Sequence, residues 1–179
     1  MGKNVVEAWI CIEKWLESNA PKVLDTLQPG TTASEISYVE DLLKVNFPES
    51  LKVSYQIHNG QVEKSQGLID DWSLLPLDEI LSQWNFWMDL SEAGEAPWHP
   101  LWIPITHDGG GNHYCLDLHP NLEEKTGRII YLFHETLPNI EEEIADSFED
   151  FLSDFSDRLE NNFYVFSEEE DKLVEVDYL

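Results

Sequence analysis

The hydrophobic period of this chain switches from helical to alternating at Leu101, and that switch sets its fold class. Val5, Trp9, Ile12 and Leu16 follow one another at helical spacing, which predicts a helix over residues 5–19 with Asn4 as its cap. Thr32 and Glu35 stand at capping-box spacing ahead of Ile36, Val39, Leu42 and Leu43, predicting a second helix to about residue 45. Pro48 suits the first position of a third helix, with Leu51 and Tyr55 on its buried face and Asn59-Gly60 as a left-handed stop. Residues 67–69 are a weak strand candidate. Ile80, Leu81, Trp84 and Met88 mark a helix over 78–90, and Gly94, Pro97 and Pro100 make 91–100 a loop. From Leu101 the period is two: residues 101–105 and 113–118 flank the Gly-rich turn at 108–112 as a β-hairpin. A third strand is expected at 127–133. Ser147 caps a helix with Phe148, Phe151, Leu152, Phe155 and Leu159 on one face, and segments 163–166 and 173–176 form a last hairpin. Helices first and strands later predict an α+β fold, with N-terminal helices, a mainly antiparallel sheet, and a C-terminal helix and hairpin.

At 179 residues the chain is the size of one domain spanning 1–179. Its net charge of −26 would suit a disordered chain, but 42% hydrophobic residues and seven Trp supply a core. Ten cations against 36 acids exclude ordinary phosphate-backbone binding, so no nucleic-acid partner is expected. Neither a membrane span nor a secretory leader is legible, no Asn-x-Ser/Thr sequon occurs, and Cys11 and Cys115 are too few for a disulfide scaffold. These features predict a cytoplasmic protein without a membrane partner. Spread over a folded surface of about 8,900 Å², the net charge would sit about 18 Å apart, beyond the Debye length of about 8 Å. It is not spread evenly. Residues 141–179 hold fifteen acids against Arg158 and Lys172, half of the net charge on about a fifth of the chain.

Four segments carry a family resemblance. Phe47-Pro48-Glu49-Ser50-Leu51-Lys52 with Tyr55 and His58-Asn59-Gly60-Gln61 resembles a helix motif of the SMI1/KNR4 family, also called the SUKH superfamily. Trp102-Ile103-Pro104-Ile105, then Asp108-Gly109-Gly110-Gly111-Asn112 with Tyr114, Leu116 and Asp117, is similar to that family's hairpin. Gly127-Arg128-Ile129-Ile130 and the helix after Ser147 follow in the family's order. The likeness covers about 32–159 and leaves 160–179 as an acidic hairpin extension. It implies a non-enzymatic protein-binding domain, without cofactor, of one of two kinds. Compact bacterial members neutralise toxins, often nucleases, by direct occlusion; fungal members are regulatory scaffolds in cell-wall control and signalling, with long arms around the core. The compact chain points to the first, an immunity protein with a basic toxin domain as partner, and the scaffold is the alternative.

The motif residues Pro48, Leu51, Tyr55, Asn59, Gly60, Trp102, Pro104, Asp108, Gly109, Gly110, Gly111 and Asn112 are read as mainly structural. His107 to His113 could suggest a metal-dependent enzyme, since His and Asp are metal ligands. A tight turn, with glycines supplying positive φ and Asp108 and Asn112 bonding local backbone, explains the same residues. Cys115, in a strand with no positive neighbour, reads as a small buried hydrophobe. Trp9, Trp84 and Trp102 are expected in the core. Trp87 and Trp98 lie on a flank and in a loop and are candidate partner anchors, alongside the acids Asp154, Asp157, Glu168, Glu169, Glu170 and Asp171. Pro97-Trp98-His99-Pro100 has the P-x-x-P spacing of an SH3 ligand, a common pattern.

Overall fold

The computed structural model describes residues 2–63, 65, 67–69, 71–120 and 127–176. Helix α1 (Val5–Asn19) opens with a reciprocal capping box between Asn4 and Glu7 and buries Val5, Ala8, Trp9, Ile12 and Leu16. A one-turn helix α2 (Pro21–Leu24) leads into a short strand β1 (Leu27–Pro29). Helix α3 (Ala33–Leu43) starts on the Thr32–Glu35 box, and Lys44 stops it in the left-handed region. Helix α4 (Glu49–Ile57) has Pro48 as its N-cap and buries Leu51, Ser54 and Tyr55.

The expected left-handed stop at Asn59-Gly60 does not exist. Helix α4 ends at Ile57, His58 is extended, and strand β2 (His58–Gln61) pairs antiparallel with β1. The His58 ring fixes this exit, with Nε2 2.7 Å from Glu13 Oε1 and Nδ1 3.1 Å from Gln28 O. Gly60 does have φ +66°, but for a different reason: a Cβ there would lie 2.5 Å from the Leu75 carbonyl carbon and the Pro76 nitrogen. Only glycine lets the two backbones approach this closely. Asn59 Oδ1 then accepts from Leu77 N at 3.0 Å, so this dipeptide caps the next helix instead of ending the previous one.

Strand β3 (Ser73–Leu74) precedes helix α5 (Leu77–Glu92). Strand β4 (Trp102–Pro104), strand β6 (His113–Asp117), strand β7 (Arg128–Leu132) and strand β8 (Glu142–Ala145) form a four-stranded antiparallel sheet in the order β4-β6-β7-β8. Strand β5 (Thr106–His107) leaves the hairpin to pair with β3. Residues 67–69 give only a bridge between Ile69 and Trp72. Strand β8 is not visible in the hydrophobic pattern. It is an edge strand on β7, where charged side chains face solvent and only the backbone ladder is required. Helix α6 (Phe148–Glu160), capped by Ser147, and the hairpin of strands β9 (Tyr164–Ser167) and β10 (Lys172–Glu175) complete the chain.

The sheet is covered on both faces. Ile103, Tyr114, Leu116 and Ile129 join the main core with α1, α4 and α6, where Trp9 Nε1 donates to Ser54 Oγ at 2.8 Å. Trp102, Cys115, Ile130 and Leu132 point the other way and pack against Trp87 of α5 and Trp98 of the following loop. The alternation in β4, β6 and β7 therefore separates two apolar clusters instead of core from solvent. Tyr164 and Leu173 of the last hairpin are buried in the main core.

Candidate protein-interaction surface

The Gly-rich turn satisfies itself. Asp108 Oδ1 accepts from Gly110 N (2.7 Å) and Asn112 N (3.1 Å), and Oδ2 accepts from Asn112 Nδ2 (2.6 Å). Burial works against its charge, but these donors hold the carboxyl below the usual aspartate range. His107 Nδ1 accepts from Gly109 N, and Asn112 Oδ1 takes the His134 backbone N–H. His113 faces away from the turn. It is 1% exposed, donates from Nδ1 to Thr106 O (2.7 Å) and accepts at Nε2 from Trp87 Nε1 (2.9 Å). Burial lowers its pKa to about 4, so it is a neutral core residue. His107 and His113 thus do not converge, and among the described residues no three His, Cys, Asp or Glu side chains form a group that could hold a metal ion.

Trp87 and Trp98 are not surface anchors. They are 5% and 6% exposed and stack with centroids 5.2 Å apart, and Trp98 Nε1 donates to Trp102 O at 3.2 Å. The apolar second face of the sheet has to be covered, and these two indoles cover it. The P-x-x-P segment is tied down with them. Trp84, expected inward, is half-buried and donates to Pro100 O. Cys115 is fully buried and its thiol pKa is pushed up by burial and by Asp117, while Cys11 is half-buried; both are free thiols.

A polar chain that the sequence did not announce runs across the same sheet. Asp117, 2% exposed, binds Arg128 Nε and Nη2 through Oδ2 (3.0 and 2.9 Å) and His119 Nδ1 through Oδ1 (2.9 Å). His119 Nε2 meets His99 Nε2 at 2.9 Å, and Leu101 N donates to His99 Nδ1. Burial and the facing His119 lower the His99 pKa. Every nitrogen of the imidazole pair is engaged internally. No ring atom remains to take a proton from a substrate, so the arrangement positions β6, β7 and the 97–101 loop. Asp117 is legible in the sequence only as the last residue of the hairpin motif; its partners are the nearby His119 and Arg128 of β7, and His119 extends the chain to His99.

The acidic C-terminal region is less bare than its sequence. Lys3 pairs with Asp157 and Glu160, Lys22 with Asp171 (2.6 Å), and Lys172 with Asp71 (2.7 Å) and Glu170 (3.1 Å). Arg158 pairs with Glu175, and Arg128 also reaches Glu143. Of the acids singled out, Asp157, Glu170 and Asp171 are therefore ion-paired, while Asp154, Glu168 and Glu169 are exposed. Lys3 and Lys22 are more than a hundred residues away from their partners in sequence, so a local charge count could not include them.

The motif residues hold the elements together. Tyr55 Oη donates to Leu75 O at 2.6 Å, which with Asn59 and Gly60 fixes α4 against the start of α5. Pro104, with no N–H, sits on the edge strand β4. A sequence profile described as the SMI1 / KNR4 family (SUKH-1) matches residues 30–154, across all of these positions. The chain belongs to the SMI1/KNR4 family. Within it, the glucan synthesis regulatory protein of Neurospora crassa is 27% identical over 70% of this chain and 33% of its own length. The cell wall assembly regulator SMI1 of Saccharomyces cerevisiae is 24% identical over 92% of this chain and 42% of its own. The cell wall biosynthesis/cell cycle regulator smi1 of Schizosaccharomyces pombe is 25% identical over 94% and 39%. The chain spans about a third to two-fifths of the length of these SMI1/KNR4 relatives. They are named as regulators, and no helix among the described residues is long and apolar enough to cross a membrane.

Proposed function

We propose that this chain is a non-enzymatic SMI1/KNR4 module that regulates cell-wall synthesis by binding other proteins in the cytoplasm. The carrying observation is the match of most of its length to fungal proteins named for regulating wall assembly and glucan synthesis. The geometry supports a binding role, because the titratable clusters are consumed by internal hydrogen bonds. The surface is anionic, which favours a basic protein partner over nucleic acid or an anionic membrane. The immunity reading takes second place. The relatives' names favour the regulator, and of the binding features expected for an immunity protein the Trp anchors are buried and the acidic tail is partly ion-paired.

The test is replacement of the family domain in the S. cerevisiae regulator by this chain, scored as growth on a wall-perturbing agent. Growth restored towards the native level is expected. A chimera that is folded and expressed yet gives no rescue, together with a stoichiometric complex with a toxin domain, would move the reading to immunity.

A further inference from the structure

The N-termini of α1, α4 and α6 converge on an open cavity of about 450 Å³. Val5 and Val53 contribute apolar lining, Val6 stands at its margin, and Glu7, Glu49 and Glu149 project from the first turns of the three helices. Val6 is 47% exposed, and Ile10, one turn further along α1, is 57% exposed. Acidic residues in first turns are accounted for by the helix dipole. Two β-branched aliphatics left in water beside an apolar cavity are not. Glu7 is held by the Asn4 backbone N–H in the capping box, but among the described residues neither Glu49 nor Glu149 has a lysine or arginine partner, in contrast with the C-terminal acids held by Lys3, Lys22, Lys172 and Arg158.

We infer that this groove docks a basic, aliphatic segment of a partner protein. Leucine or valine side chains would cover Val6, Ile10 and Val53, and lysine or arginine heads would meet Glu49 and Glu149. Both features of the occupant follow from the lining: the apolar surface asks for aliphatic cover, and carboxylates without a lysine or arginine partner ask for cations. The competing groove between α3 and α5 displays an exposed Tyr38, but its Glu35 is consumed by bonds from Thr31 Oγ1, Thr32 N and Thr32 Oγ1, which leaves Asp78 as its single acid outside a capping box, against Glu49 and Glu149 here. An anionic lipid surface would be repelled by the same carboxylates. The inference rests on the protein-binding reading and names the partner's chemistry and the face that takes it.

The probe is a synthetic peptide of about 14 residues, four helical turns, with leucine on one face and lysine on the other, titrated into the full chain. Amide chemical shifts locate it and calorimetry gives its affinity. Shifts are expected around residues 5–10, 49–53 and 149. The double change Glu49→Lys with Glu149→Lys should weaken binding at least about tenfold, while Glu168→Lys with Glu169→Lys in the last hairpin should cost less than about threefold. Glu49→Gln with Glu149→Gln, which removes charge without reversing it at the helix ends, should give an intermediate loss and guards against misfolding of the lysine pair. Equal losses from the two reversals, shifts centred on the α3–α5 groove, or no binding would overturn the groove. A peptide seated elsewhere leaves the regulatory module standing, because that reading is tested separately by the chimera.

Discussion

Acidification should weaken the fold through His113 by an amount the structure sets. The ring is neutral and buried, with Nδ1–H on Thr106 O and Nε2 accepting from Trp87. Its pKa is about 4 in the folded chain, against about 6.5 for an unfolded histidine. The unfolded state therefore binds more protons between these values, so the contribution is fully present above pH 6.5 and is lost as the pH falls towards 4. Between pH 7 and pH 5 the loss amounts to about 2 kcal/mol. A chain of net charge −26 also loses self-repulsion as its carboxylates protonate, which acts in the opposite direction. The measurement is thus a difference: urea unfolding followed by circular dichroism at pH 5, 6 and 7, for the wild type and for His113→Gln. A glutamine amide can donate to Thr106 O and accept from Trp87 without titrating. The variant is expected to be less stable at pH 7, and the gap should narrow by about 2 kcal/mol by pH 5. Parallel curves, with a constant gap, would refute the assignment of His113 as a neutral, buried residue.

Two further substitutions test other parts of the argument. Gly60→Ala should destabilise the fold by more than about 2 kcal/mol, read as a lower unfolding midpoint, because φ +66° and the 2.5 Å approach to residues 75 and 76 leave no room for a Cβ; a change within about 0.5 kcal/mol would show that the two backbones can separate freely. Asp117→Asn should cost about 2–3 kcal/mol, discounted from the full value for a buried pair because Arg128 is partly exposed. It should also broaden the His119 and His99 imidazole signals in NMR; if both stay sharp and unshifted, Asp117 does not position the pair.

Much of the fold could be read along the chain. Asn4, Thr32 and Ser147 start helices where capping chemistry placed them, and the apolar stripes of α1 and α6 are buried as spaced. These signals are local, since a cap and its helix lie within a few residues. The misreadings share a different cause. Gly60 has the positive φ of a helix stop, but what selects glycine is the backbone at 75 and 76. Trp87 and Trp98 sit on a helix flank and in a loop, yet they are buried because the second face of the sheet needs cover. Strand β8 carries acids that hide it from any hydrophobic pattern, and only its pairing with β7 defines it.

By itself the sequence determined the α+β class, the order of the long helices and of the central hairpin, the family and the total charge, because each depends on residue type and short-range spacing. Tertiary structure decided which surface is available. It carried Lys3 and Lys22 to the acidic C-terminal region, withdrew Trp87 and Trp98 into a second core, closed the Gly-rich turn on itself, and brought three helix ends around one apolar cavity, with Glu49 and Glu149 lacking a lysine or arginine partner among the described residues. Charge pairing and burial act through space between residues far apart in the chain, and no linear count contains those distances.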